Sequence, residues 1–110
     1  MTISIHPIAG ALGAEILGVD LARDRDPDTK AVIRQALLDH VVIFFRDQSL
    51  TSAEYLAFAE TIGTPIDYPY VPGIEGFPVI TPVIKRPEQT IVFGGNWHVD
   101  TTYLPEPPMA

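Results

Sequence analysis

Hydrophobic side chains recur at helical spacing over residues 27–39, where Ile33 and Ala36 lie on one face of the predicted helix. Asp26 followed by Pro27 is typical of a helix start, because the acid accepts hydrogen bonds from free backbone N–H groups and proline fits the first turn. The pattern therefore predicts an amphipathic helix over residues 27–39.

A continuous apolar run follows this helix directly. Residues 41–45 read Val-Val-Ile-Phe-Phe, and β-branched and aromatic side chains favour a strand. A run without alternation is typical of a strand that is covered on both faces. We therefore expect a buried strand over residues 41–45 that ends at Arg46.

A second amphipathic helix is predicted to begin after Thr51. Thr51 and Glu54 match the capping box, in which each residue caps the backbone of the other. Apolar residues then follow at i, i+3, i+4 and i+7, namely Tyr55, Phe58, Ala59 and Ile62. Gly63 suits the position just after the last turn.

The segments outside the two helices predict strands and loops. Residues 2–20 mix β-branched residues with glycines, which is typical of short strands bent by turns. Most of the 11 prolines follow Thr64, and proline disfavours helix. Residues 64–76 are accordingly expected to form an extended loop.

Two further strands are predicted after this loop, over residues 77–84 and 90–93. Pro78 and Pro82 restrict the first of them to an edge or a bulged position, because proline has no N–H to donate. The predicted fold class is therefore mainly β with flanking helices, an α+β arrangement within one small domain or a piece of a larger one.

Composition excludes several classes of protein. The chain has 110 residues, a formal net charge of −7 and no basic cluster, which argues against nucleic acid as a partner. It has no cysteine, so a metal site must use His, Asp, Glu or water. No signal-peptide pattern and no apolar run of membrane-spanning length occur, so we expect a soluble cytoplasmic protein without a membrane partner.

His98 and Asp100 are the most informative candidate residues, because they lie two positions apart after Gly94 and Gly95. On a strand both side chains would share a face and could converge on one ion. A nitrogen and oxygen donor pair suits Fe(II), Mn(II) or Zn(II). On the tripeptide alone, a surface strand with a solvated Asp100 and a half-buried His98 is the more common arrangement.

The flanking sequence is more specific than the tripeptide. Residues 96–103, Asn-Trp-His-Val-Asp-Thr-Thr-Tyr, followed by Pro105-Glu106-Pro107-Pro108, resemble the taurine dioxygenase and TfdA-like family of Fe(II)/2-oxoglutarate-dependent dioxygenases. Three upstream segments resemble that family in the same order: residues 13–21, residues 40–48 and the helix ending at residues 59–63. The resemblance covers residues 3–110.

The resemblance implies part of a double-stranded β-helix, the jelly-roll of the clavaminate synthase-like fold. It implies that His98 and Asp100 are two arms of a 2-His-1-carboxylate site for Fe(II). It also implies 2-oxoglutarate and O2 as co-substrates and the hydroxylation of a small, anionic organic molecule, with release of succinate and CO2.

Further site residues are implied with less specificity. Asn96 matches a family position near substrate and co-substrate, although a turn residue after Gly95 is an equal alternative. Tyr68 and Tyr70 are expected as pocket walls or as loop aromatics that cover other residues. Tyr68 stands where taurine-specific members of the family carry a substrate-binding His, so the resemblance does not extend to taurine. Trp97 is expected in the core.

The remaining His ligand of the family and the Arg that binds 2-oxoglutarate lie beyond residue 110 in the pattern. We therefore expect residues 1–110 to be the N-terminal part of one dioxygenase domain, with little or no activity alone. The alternatives are a catalytically inactive module that associates with another chain, as a homo-oligomer or with the missing C-terminal part, and a cupin-like isomerase or zinc hydrolase with a different ligand set.

Overall fold

A computed structural model describes residues 2–110 and divides the chain into two compact units. The first unit extends to Pro65, and the second spans Ile66–Ala110. The described part of the chain contains no helix that is long and apolar enough to cross a membrane. All regular helices and strands lie in the first unit.

The first unit contains a three-stranded sheet in the order β1-β2-β3, formed by Ser4–Pro7, Ala14–Leu17 and Ile43–Phe44. Strands β1 and β2 are antiparallel neighbours, with Ser4 opposite Leu17. Strands β2 and β3 are parallel. Parallel neighbours need a crossover, and the first helix of the chain provides it.

Helix α1, Pro27–His40, begins where the sequence predicts. The Asp26 side chain accepts hydrogen bonds from the Thr29 N–H at 2.9 Å and from the Thr29 hydroxyl at 2.6 Å. These bonds lower the pKa of Asp26, because they stabilise the carboxylate form. The helix ends at Val41, whose φ of 68° breaks the helical path while its N–H still reaches Leu37.

Helix α2, Ser52–Ile62, confirms the predicted capping box. The Glu54 N–H donates to the Thr51 hydroxyl at 3.2 Å, and the Thr51 N–H donates to the Glu54 carboxylate at 2.8 Å. The second bond is the first cause of a lowered pKa at Glu54. The helix ends at Ile62, and the N–H of Gly63 closes its last turn on Ala59.

Thr51→Ala should destabilise the first unit by about 1 kcal/mol, since it leaves an N-terminal N–H of α2 without its acceptor. Urea unfolding followed by circular dichroism measures the change. Thr51→Ser is the matched control, because it keeps the hydroxyl and should remain close to the unmodified chain. Equal losses in both variants would show that the hydroxyl is not the cause.

The core of the first unit lies between the sheet and α1. Ile16 from β2 and Ile33 from α1 are almost fully buried, and they cluster with Val19, Leu21 and Ala36. Partly buried hydrophobic side chains pack against this cluster: Ile3, Ile43, Phe45, Leu50, Phe58 and Ile62. Phe45 and Phe58 meet edge to face, with ring centroids 5.6 Å apart.

The Gln48 side chain ties the chain after β3 to the segment after β2. Its amide oxygen accepts from the Leu21 N–H at 2.9 Å, and its amide nitrogen donates to the Val19 carbonyl at 3.0 Å. Both backbone groups are part-buried and lie outside the strands, so Gln48 satisfies groups that would otherwise lack partners. Arg46 forms an ion pair with Glu15 nearby.

The structure corrects the predicted strand over residues 41–45. Only Ile43 and Phe44 pair with β2, and Phe44 remains 42% exposed, so the strand is not buried on both faces. Val41 instead follows the last residue of α1, and its backbone breaks the helical path. The apolar run therefore has three roles. It ends α1, it forms the short strand β3, and its last residue, Phe45, packs against the core.

In the second unit the strands predicted over residues 77–84 and 90–93 are wrong for the described chain. An isolated bridge between Ile74 and Phe77 is the only pairing there. A strand needs a neighbour for its N–H and C=O groups, and the described residues provide none for these two segments. "Mainly β" is wrong as well, since α1 and α2 contain 14 and 11 residues whereas the strands contain four, four and two. The α+β class is retained.

Candidate metal centre

Two turns in the second unit frame the segment with the candidate ligands. The Gly95 N–H donates to the Val92 carbonyl at 3.1 Å, and Gly94 adopts a φ of 73° that favours glycine. After the candidate ligands, the Leu104 N–H donates to the Thr101 carbonyl at 3.0 Å. The segment between these turns is not a strand, which corrects the expected local structure.

His98 and Asp100 nevertheless converge. The Nε2 atom of His98 lies 3.1 Å from Oδ1 of Asp100. The His98 side chain is 52% exposed and that of Asp100 is 90% exposed, so a ligand from solvent can reach both.

The hydrogen bond of His98 Nδ1 determines what Nε2 presents to Asp100. Nδ1 lies 2.7 Å from the backbone carbonyl of Asn96, and since a carbonyl can only accept, Nδ1 must donate its hydrogen. In a neutral imidazole Nε2 then carries a lone pair that faces Asp100. Two acceptors at this distance are compatible only when a proton or a metal ion lies between them. Metal-binding histidines are typically oriented by such a bond from the other nitrogen.

The distance between the two donor atoms fits a shared metal ion. Donors that each lie about 2.1 Å from one ion, at a right angle, are about 3.0 Å apart. The 3.1 Å separation of His98 Nε2 and Asp100 Oδ1 is close to this value. No group of three or more His, Asp or Glu side chains that could hold a metal occurs among residues 2–110. The described chain therefore offers two ligands.

A cavity of about 690 Å³ adjoins the two candidate ligands. Asn96 and Tyr68 lie in its wall, as do His98 and Asp100. Apolar and aromatic residues form much of the remaining lining, including Val83, Val92, Phe93, Val99 and Tyr103. No Lys or Arg lines the cavity within the described chain.

Tyr70 and Trp97 are placed differently from Tyr68. Tyr70 lines a separate cavity of about 480 Å³ formed by the loop around Pro69 and Pro72. The expectation that Trp97 lies in the core is wrong, because its side chain is fully exposed. Trp97 does not line the cavity shared by His98 and Asp100, but it lines a second cavity of about 500 Å³ together with His98.

The other two histidines are His6 and His40. The His6 ring is 3.0 Å from the Ser4 hydroxyl within β1. His40 is the last residue of α1, where a basic side chain interacts favourably with the helix dipole. Both lie in the first unit, and they provide matched positions for control variants.

Tyr103 is a site residue that the sequence analysis did not single out. Its hydroxyl donates to the Tyr70 hydroxyl at 2.7 Å, and its side chain also lines the cavity of His98 and Asp100. Tyr70 in turn meets Tyr68 edge to face, with ring centroids 5.4 Å apart. In the sequence, only the position of Tyr103 three residues after Asp100 links it to the site. That position does not predict a contact with Tyr70, which lies 33 positions earlier.

The link between the two tyrosines is expected to be lost at high pH. The hydrogen bond to Tyr70 raises the pKa of Tyr103 from 10.0 to about 12, because only the neutral phenol can donate. A folded-state pKa above that of free tyrosine means that the link is fully present below about pH 10 and is lost as the pH rises through the folded value. Tyrosinate absorbance during an alkaline titration should show one late ionisation, which moves towards 10.0 in Tyr70→Phe. A late ionisation that stays at the same pH in Tyr70→Phe would contradict the assignment.

A histidine nitrogen and a carboxylate oxygen at this spacing, beside a cavity, form a donor set typical of mononuclear non-haem metal proteins. Comparison with known proteins agrees with this class. The chain belongs to the taurine catabolism dioxygenase TauD, TfdA family, whose sequence model matches residues 4–110.

Characterised relatives are similar over nearly the whole chain. An alpha-ketoglutarate-dependent sulfate ester dioxygenase from Pseudomonas putida is 36% identical over 111 residues, which cover 100% of this chain and 36% of the relative. An alkylsulfatase from Acinetobacter baylyi is 35% identical over 103 residues, which cover 93% of this chain and 32% of the relative. The chain thus spans about a third of the length of these relatives.

Solved structures show the same relationship. A taurine dioxygenase from Burkholderia xenovorans is 40% identical with a TM-score of 0.64, and the match covers 69% of this chain and 28% of that one. AAD-2 in complex with Mn(II) and N-oxalylglycine is 28% identical with a TM-score of 0.57, over 59% of this chain and 26% of the other.

Proposed function

We propose that this chain contributes part of the active site of an Fe(II)/2-oxoglutarate-dependent dioxygenase, with His98 and Asp100 as two of the three protein ligands. The observation that carries the proposal is the convergence of His98 Nε2 and Asp100 Oδ1 to 3.1 Å, with Nδ1 bound to the Asn96 carbonyl. Membership of the family supports the same reaction class.

The residues of the site have separate roles in this proposal. Asp100 supplies negative charge to a divalent ion, and the backbone of Asn96 holds His98 so that its free nitrogen faces the ion. The Asn96 side chain is an amide that can donate and accept toward substrate or co-substrate in the cavity. When bound, Fe(II) with 2-oxoglutarate and O2 supplies the oxidising chemistry, and succinate and CO2 are released.

Sulfate esters are the proposed substrate class. Two relatives carry names that refer to this chemistry, a sulfate ester dioxygenase and an alkylsulfatase. The wall of the cavity fits the alkyl part of such a molecule, because Val83, Val92 and Phe93 offer apolar surface there. The resemblance places Tyr68 where taurine-specific members carry a substrate-binding His, which favours a substrate other than taurine.

The anionic groups of 2-oxoglutarate and of a sulfate ester need cationic partners, and no Lys or Arg lines the cavity within the described chain. A third protein ligand is also not found among residues 2–110. We therefore propose that turnover requires further polypeptide, which completes a jelly-roll around the site. The relatives contain about three times the matched length.

Succinate release tests whether turnover requires polypeptide beyond residues 1–110. Residues 1–110, supplied with Fe(II), 2-oxoglutarate and hexyl sulfate in air, should release no succinate above the level without protein. A longer polypeptide that adds a histidine and an arginine to the site should release succinate in a hexyl sulfate-dependent manner. Substrate-dependent turnover by residues 1–110 alone would overturn the requirement for further ligands.

A second candidate function is that of a non-catalytic module that associates with another chain. The observation that favours it is the exposure of large apolar side chains in the second unit, among them Ile91, Phe93 and Trp97. Light scattering of the purified chain distinguishes the two cases. A stable oligomer without any metal-dependent absorption favours the module, whereas a monomer that binds Fe(II) and 2-oxoglutarate favours the dioxygenase part.

A further inference from the structure

Tyr68 lines the candidate cavity, yet few bonds hold the Tyr68–Tyr70 segment in place. In the described chain, residues 66–72 belong to no helix or strand, and one turn at Pro69 and Tyr70 is their local structure. The hydroxyl bond from Tyr103 to Tyr70 is the one side-chain hydrogen bond that involves this segment. The position of the segment therefore depends on that bond and on ring packing.

The three tyrosines form a chain of contacts that starts close to the candidate ligands. Tyr103 lies three residues after Asp100, within the turn that the Leu104 N–H closes on Thr101 and in which Thr101 adopts a φ of 38°. Its hydroxyl is 2.7 Å from that of Tyr70, and the Tyr70 ring meets the Tyr68 ring at an interplanar angle of 80°. Tyr68 and Tyr103 line the cavity of His98 and Asp100, whereas Tyr70 lies outside it.

We propose that Tyr103 is a positioning residue that acts through the Tyr70 hydroxyl to hold the Tyr68 ring as one wall of this cavity. Tyr70 then bridges two residues of the wall without contacting the occupant itself. The segment that carries His98 and Asp100 is then linked to the loop that carries Tyr68. The shape of the cavity therefore depends on the residues that follow Asp100. The consequence for ligand binding rests on the proposed function, whereas the position of the ring does not.

The raised pKa of Tyr103 agrees with this geometry, because it reflects the bond to Tyr70. Tyr70 and Tyr103 are both more than half exposed, so water competes for this bond and its contribution is that of one surface hydrogen bond. Here the bond joins residues 33 positions apart, and the edge-to-face contact transmits its effect to the ring of Tyr68.

Tyr103→Phe tests the proposal, because it removes the donor and keeps the ring. In protein with isotope-labelled tyrosine, ring-to-ring Overhauser contacts between Tyr68 and Tyr70 should weaken and the Tyr68 ring resonances should shift. Tyr70→Phe should give the same shift of Tyr68, and the double variant should add nothing further, since one bond is lost in each case. Tyr55→Phe in α2 is the matched control and should leave Tyr68 unchanged.

Unchanged Tyr68 resonances in a folded Tyr103→Phe protein would overturn the proposal. A second measurement is the dissociation constant of hexyl sulfate in the presence of Mn(II) and 2-oxoglutarate, made on the longer polypeptide that adds a histidine and an arginine to the site. It should rise about fivefold in Tyr103→Phe, the effect of one hydrogen bond, while the affinity for Mn(II) alone stays the same. If hexyl sulfate fails to bind this longer polypeptide with Tyr103 in place, the proposed substrate class fails, and the resonances of Tyr68 still decide the role of Tyr103.

Discussion

His98→Ala should remove the visible charge-transfer absorption that Fe(II) and 2-oxoglutarate produce together with the unmodified chain under anaerobic conditions. The reason is that His98 and Asp100 are the two donors that converge in the described structure, 3.1 Å apart. Loss of residues that merely orient a metal ligand costs about 10- to 100-fold in affinity, so loss of a ligand should cost about 100-fold or more.

The chain offers matched controls for this experiment. His40→Ala and His6→Ala remove an imidazole from the first unit, and both should keep the absorption. Asp100→Asn should weaken it strongly, because the amide cannot neutralise the charge of the ion. If His98→Ala retains the absorption while His40→Ala loses it, the ligand assignment is wrong. A circular dichroism spectrum identical to that of the unmodified chain shows that each variant is folded.

The second large effect is expected on stability. Ile16→Ala should destabilise the first unit by about 2–5 kcal/mol, since it opens a cavity at the largest fully buried side chain of the described chain. Small domains are stable by only about 5–15 kcal/mol, and this core contains few fully buried residues. Urea unfolding should therefore show a much lower midpoint.

Leu17→Ala is the control for Ile16→Ala. Leu17 is the next residue of β2 and is 41% exposed, because successive side chains of a strand point to opposite faces. Its replacement should change the free energy of unfolding by about 0.5 kcal/mol. Comparable losses for both variants would show that Ile16 does not fill the centre of the core as the structure places it.

The helices could be predicted because their signals are local. Asp26 with Pro27 and the Thr51–Glu54 capping box mark starts that depend on backbone groups within one turn, and both starts are found in the structure. Ile33 and Ala36 were predicted on one face of α1, and both are buried.

The strands were harder to predict because a strand is defined by its neighbour. The apolar run over residues 41–45 has the composition of a strand, but only Ile43 and Phe44 find a partner in β2. Residues 77–84 and 90–93 have similar composition and no partner within the described chain. Composition indicates which segments favour extended backbone, and pairing decides which of them become strands.

The candidate site, too, could be predicted from the sequence only in part. The spacing of His98 and Asp100 predicted a shared target, and the two side chains converge although the expected strand is not formed. The bond from His98 to the Asn96 carbonyl and the contact between Tyr103 and Tyr70 could not be derived from spacing. Both depend on turns whose backbone angles are set by several residues together.

The central claim is that His98 and Asp100 bind one divalent metal ion together. A crystal structure of the chain with Mn(II) and N-oxalylglycine, the pair of ligands present in the AAD-2 complex, tests it most directly. We expect Mn(II) bonded to Nε2 of His98 and to a carboxylate oxygen of Asp100, with Nδ1 still donating to the Asn96 carbonyl. Mn(II) bound elsewhere, with His98 and Asp100 bonded only to water, would contradict the account.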